Sequence, residues 1–237
     1  MLVLEEDATL LLITQVDHAH LARDLLSLWI ADGLPMNPRR DEILTAAAEH
    51  DNGWRELDAA PPLEPSRSWP YDFRQLPPTD RRRVWKASVK RSGVSRWSAL
   101  LIQHHARSLL AEHRSDPAWK DLFVWLDERR AENEEHCSHL LPELEADYSF
   151  LSLSDTLSLG ACGAWGSRRL PWQDYDIAVT LGRLVFQPFP FAGSLQLRVA
   201  YRRISKRDYR GGADLGAELA SAHWQYLPVR VEPATSP

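Results

Sequence analysis

The chain has 237 residues, a formal net charge of -5 at pH 7, 44% hydrophobic and 26% charged residues, a composition that excludes a disordered or fibrous chain and gives no overall nucleic-acid footprint. That length supports one large domain with a substantial core. Cys137 and Cys162 lack zinc-ribbon, redox-pair or disulfide spacing, and MLVLEEDATLLLITQ is neither a signal peptide nor a membrane span, so a soluble cytoplasmic protein is expected, with no membrane and no nucleic-acid partner.

In chain order, LVL and LLLIT flank an acidic turn and predict a short N-terminal hairpin. HAHLARDLLSLWI then sets His18, Leu21, Leu25 and Leu28 on one helical stripe, with Asp17 as the expected N-cap and Gly33, Pro35 and Pro38 as the stop. A second helix runs from Asp41 as N-cap through EILTAAAEH to Asn52-Gly53, a pair that tolerates a left-handed C-cap. Residues 59 to 80 are proline-rich and aperiodic, which predicts a long irregular excursion of the kind that serves as a lid. Helical periodicity returns in WSALLIQHHARSLLAEH and from about Ala118 to His139. In FLSLSDTLSLGAC the leucines fit either a strand or a helix, and both stay open. Beyond Pro171, DIAVTLGRLVFQPFPF and SLQLRVAYRRI predict antiparallel strands, followed by a short helix near ADLGAELASAH and a strand near LPVRV. The expected architecture is mainly α: one domain with a helical core over about 15–168 and a small antiparallel β appendage over about 172–237, packed with the hairpin of residues 1–14.

Residues three and four apart share a helix face, which decides which histidines point inward. His18 lies on a leucine stripe, whereas His20 stacks with Asp24 and Ser27 toward solvent. His50 sits above Ile43 and Ala47, Asp51 above Leu44 and Ala48, and His105 shares a face with Ile102 and Leu109. His104 falls on the edge beside Leu100 and Arg107, and Asp155 is flanked by leucines. A carboxylate on an apolar face needs compensation. A divalent cation would serve Asp51 and Asp155 together; Arg168 or Arg169 is the alternative partner for Asp155. Imidazoles with carboxylates suit one or two ions of Fe, Mn, Co, Ni or Zn. Arg81, Arg82, Arg83, Lys86 and Lys90 fit either phosphate contacts at a site mouth or a solvated face. His136 and His139 belong to a charged surface.

The order His, His-Asp, distant Asp resembles the HD-domain superfamily of metal-dependent phosphohydrolases. QVDHAHLARDLLSLW, AAAEHDNGW, LIQHHARSLL and SFLSLSDTLSLGAC are similar to an uncharacterised bacterial family of unknown function with HD-like features. The resemblance implies an HD-domain-like helical core with His18, His50, Asp51 and Asp155 as metal ligands. It puts His105, with His104 as the less inward candidate, where HD enzymes bind a second metal or the scissile phosphate. The implied activity is hydrolysis of a small phosphorylated metabolite or nucleotide by a metal-activated water. Two alternatives stand beside it: an HD-type di-iron oxygenase, motivated by the extra His104 and His105, and a non-catalytic metal-binding module that meets a partner through the β appendage.

Overall fold

A computed structural model describes residues 1–91 and 95–235; residues 236 and 237, the end of the expected appendage, lie outside the described residues. β1 (Leu2–Glu5) and β2 (Thr9–Ile13) form the expected hairpin, with Leu2 opposite Ile13. α1 (Gln15–Ser27) is capped by Thr14 rather than Asp17: the Thr14 hydroxyl accepts from the Asp17 N–H at 3.0 Å and donates to its carboxylate at 2.5 Å. α2 (Arg40–Glu49) begins without a side-chain cap, and Asp41 instead sits in its first turn, where a carboxylate complements the helix dipole. Asn52 and Gly53 do not form a left-handed C-cap; they open a 3₁₀ turn, Asn52–Trp54, that leads into α3 (Arg55–Ala59).

The proline-rich excursion holds a two-residue ribbon of β3 (Leu63–Glu64) and β4 (Trp69–Pro70) before α4 (Pro78–Arg91) starts on a proline, whose missing N–H is no loss at a helix start. α5 (Arg96–Leu109) is capped by Ser95, α6 is Lys120–Cys137, and α7 (Leu144–Ala161) settles FLSLSDTLSLGAC as helix. Then come β5 (Arg168–Trp172), β6 (Tyr175–Thr180), β7 (Arg183–Gln187), β8 (Leu195–Ser205), α8 (Gly212–Ser221) and β9 (Trp224–Pro233).

These strands overturn the expectation of an HD-like helical core carrying a small appendage. Seven strands make one mixed sheet in the order β1-β2-β8-β9-β7-β6-β5, with β7 and β9 parallel and the other neighbours antiparallel. Its inner face is no satellite: Ile177, Val179, Leu184, Phe186, Val199, Val229 and Val231 share one apolar core with Leu21, Leu25, Trp29 and Leu157 of the helical half. α1 packs on β8 and α7 on β6 and β7, while α2 and α5 pack against α7 on the helical side. The sheet was underestimated because its pairings are non-local, with Leu10 opposite Ile204, and no local periodicity reports them. Among the described residues, no helix is long and apolar enough to cross a membrane.

Candidate metal centre

Four segments deliver the inward histidines and aspartates to one place. α1 brings His18, the end of α2 brings His50 and Asp51, α5 brings His105 and α7 brings Asp155, all of them buried. The imidazole centroids of His18 and His50 are 5.4 Å apart and those of His50 and His105 are 5.0 Å apart. Ligand atoms of His18, His50 and Asp51, and likewise of His50, His105 and Asp155, all lie within 4.8 Å of one another. Both sets share His50, so they form one cluster.

Hydrogen bonds on the far side of two rings fix which nitrogen faces the cluster. His50 Nδ1 is 2.9 Å from the Ala47 carbonyl, which only accepts, so that nitrogen carries the proton. The single hydrogen of the Ser158 hydroxyl is donated to the Asp155 carbonyl at 2.9 Å, so Ser158 Oγ accepts from His18 Nδ1 at 3.1 Å. In the neutral rings both Nε2 atoms therefore present lone pairs. His18 Nε2 is 3.0 Å from Asp51 Oδ2, and His50 Nε2 is 3.3 Å from Asp155 Oδ1 and 3.7 Å from Asp51 Oδ2. Lone pairs facing carboxylate oxygens repel unless a cation or a proton stands between them.

Among the described residues, His50 Nε2 and His105 Nε2 are buried without a hydrogen-bond partner, and His105 Nε2 is 3.6 Å from Asp155 Oδ2. Burial opposes protonation of His50, yet the charge of Asp51 and then the contact with Asp155 outweigh it and raise its pKa to about 9. Asp155 shows the converse: burial favours its neutral form, but the close contact and charge of His50 hold the carboxyl below the usual range. For His105, burial prevails over Asp155 and lowers the pKa to about 4, so this ring is neutral at pH 7. The centre thus draws in positive charge while keeping His105 as a free base. A transition ion suits these donors: the Nδ1–H groups bonded to fixed acceptors are the arrangement that holds a metal-binding imidazole in register. Two carboxylates with neutral imidazoles balance one dication.

His104 does not join the cluster. Half-buried, it has Nδ1 3.4 Å from the Arg130 guanidinium and Nε2 3.4 Å from Glu145, and its ring packs 4.4 Å from that of Tyr148. Arg168 and Arg169 do not reach Asp155 either: the first lies over Trp165 and the second pairs with Asp176. Arg82, Arg83, Lys86 and Lys90 line a groove between α4 and α6. On α4 it is Trp85 that approaches the centre, its ring 6.2 Å from that of His105. His20 is half-exposed, and His136 and His139 are exposed.

Two supporting residues escaped the sequence reading. Ser158, which orients His18, lies one turn after Asp155, and Tyr148, whose hydroxyl is 3.5 Å from His105 Nδ1, lies two turns before it. Helical spacing from Asp155 would have found both. Gly53 has a different reason to be glycine from the one expected. A Cβ there would collide with the Val84 carbonyl and Ser88, and its N–H donates to Ser88 Oγ at 3.0 Å, so α4 rests directly behind the His50-Asp51 pair.

The chain belongs to a family described as a protein of unknown function (DUF3891), whose profile matches residues 1–206. No curated protein and no solved structure matches it.

Proposed function

We propose that the chain is a cytoplasmic metal-dependent phosphohydrolase in which His18, His50, Asp51 and Asp155 hold a divalent transition ion and His105 works beside it. The observation that carries this reading is the pair of Nε2 atoms, turned inward by Nδ1–H bonds to Ser158 and Ala47, that meet carboxylates and offer lone pairs to a cation once His50 gives up its proton. Their order along the chain, His, His-Asp, Asp, is that of the HD phosphohydrolases, and this likeness of ligand chemistry supports phosphoryl transfer to water. An ion of Fe, Mn, Co, Ni or Zn supplies Lewis acidity toward a phosphoryl oxygen and lowers the pKa of water. His105, neutral and with a free Nε2, takes a proton from the attacking water or meets a phosphoryl oxygen. The water oxygen would form the new bond to phosphorus as the ester O–P bond breaks, and the proton that His105 takes from the water would pass to the departing alkoxide oxygen. The substrate is a small phosphorylated metabolite or nucleotide.

Charge balance favours one ion over two, which weighs against a two-iron oxygenase, as does the turning away of His104 toward Glu145. Elemental mass spectrometry of freshly purified protein, with a phosphoester assay of wild type and Asp51→Ala, tests the proposal. One transition ion per chain and turnover, both lost in the variant, is the expected result. A variant that keeps metal and activity removes this mechanism, and two irons with oxygen-dependent turnover replace it with the oxygenase.

A further inference from the structure

Tyr148 belongs to two places at once. Its hydroxyl is 3.5 Å from His105 Nδ1 and its ring packs on His104 and His105, yet it also lines a cavity of about 360 Å³ with Glu145, Ser149, Ser152, Thr156 and Trp172. That volume lies within the range of small-molecule pockets. Residues 145, 149, 152 and 156 follow the three-to-four spacing of one face of α7, so the wall is a row of oxygens beside the face that carries Asp155.

The chemistry of this wall is selective. The Ser149 hydroxyl donates to the Ala146 carbonyl at 2.7 Å and the Thr156 hydroxyl to the Ser152 carbonyl at 2.9 Å. Their only hydrogens are thus committed to the helix, and their oxygens are left as acceptors. Glu145 adds a carboxylate, and among the described residues no Lys or Arg lines the cavity. Such a wall rejects a second anionic group, which rules against a polyphosphate or a dicarboxylate, and welcomes a neutral group rich in O–H donors. Leu170, Pro171 and the Trp172 indole supply an apolar side for C–H groups of a ring.

We infer that this cavity takes the organic half of the substrate, a neutral sugar or polyol, whose phosphoryl group reaches the buried centre past Tyr148. The inference rests on the phosphohydrolase reading above. It narrows the substrates to phosphate monoesters of polyhydroxylated alcohols.

The test compares kcat/KM for glucose 6-phosphate and glycerol 1-phosphate with that for p-nitrophenyl phosphate, in metal-loaded wild type, Ser152→Ala, Thr156→Val and Thr156→Ser. Wild type is expected to prefer the polyol esters by about tenfold or more, and Ser152→Ala and Thr156→Val to erase most of that ratio through KM while Thr156→Ser keeps it. Metal content equal to wild type in each variant shows that the fold is intact. If p-nitrophenyl phosphate is hydrolysed as well as the polyol esters, or the ratio is indifferent to the hydroxyls, the cavity assignment falls and the hydrolase reading stands. If the metal-loaded protein hydrolyses none of the three esters but does hydrolyse a nucleoside monophosphate, the cavity assignment falls alone; if it hydrolyses none of the four, the hydrolase reading falls and takes the assignment with it.

Discussion

Two buried aspartates lie eight positions apart on α7 and live in opposite surroundings. Asp147 accepts from Arg39 Nε at 2.6 Å, Asn37 Nδ2 at 2.7 Å and Trp97 Nε1 at 2.9 Å. Every one of those donors has a fixed hydrogen, and one is a cation, so the carboxylate is complete within the protein. Asp155 faces the nitrogens of His18, His50 and His105, at 3.9, 3.3 and 3.6 Å, and gains no donor with a hydrogen to spare unless an imidazole is protonated. The first group ties the end of α7 to α5 and to the segment before α2. The second is compensated within the protein by the proton that its surroundings hold on His50. Saturation by fixed donors marks a structural carboxylate, whereas a carboxylate ringed by imidazoles, whose protons can be exchanged for a cation, is suited to hold an ion.

Substitutions can break this contrast. The largest effect is expected from Asp147→Ala, which strands the buried side of Arg39 and should cost about 3 to 5 kcal/mol in denaturant unfolding, with or without added metal. Asp155→Asn should behave differently. Wild type supplied with metal at about a thousand times its Kd gains about 4 kcal/mol over chelated protein, and the Asn variant should lose that gain yet melt no lower than chelated wild type. Equal melting losses for the two variants in chelator would erase the distinction. Gly53→Ala forces a methyl against α4 and should cost about 1 to 3 kcal/mol, read in the same unfolding experiment. Ser158→Ala sharpens the account of ring orientation: it removes the acceptor for His18 and should weaken metal affinity by about 10- to 100-fold, measured by competition with a chelator, with little change in apo stability. The smallest effect concerns thiols. Burial pushes the Cys162 thiol far above its ordinary value, so it stays protonated and slow toward a disulfide reagent in the native protein. Because the unfolded thiol ionises first, its contribution to stability declines as pH rises above about 8.5, visible as faster labelling in mild denaturant.

Much of the centre was legible because helices translate spacing into direction. His18, His50, Asp51, His105 and Asp155 each share a turn with apolar residues, and the structure brings them together as that pattern requires. His104 was legible too, as the edge position it occupies. What periodicity could not report was partnership across the chain. Nothing near Asp147 in sequence announces Arg39, and although LPVRV was legible as a strand, nothing in it announces that β9 runs from Trp224 to Pro233 between β8 and β7 in a seven-stranded sheet. The irregular stretch after residue 59 hid the start of α4, and the glycine of the His-Asp-Asn-Gly run was read as a stop signal although it marks a close approach.

α7 joins the two halves of the molecule. Five residues beyond Asp155, Gly160 lets the helix lie so near β6 that a methyl there would strike Val179 and Trp165. The helix that carries Asp155 is therefore bedded on the strands, as a lathe tool is clamped to its rest. A shortened protein that kept the imidazole-bearing helices and discarded everything after residue 165 would leave Asp155 on an unseated lever, so the smallest unit that keeps the cluster intact includes the sheet.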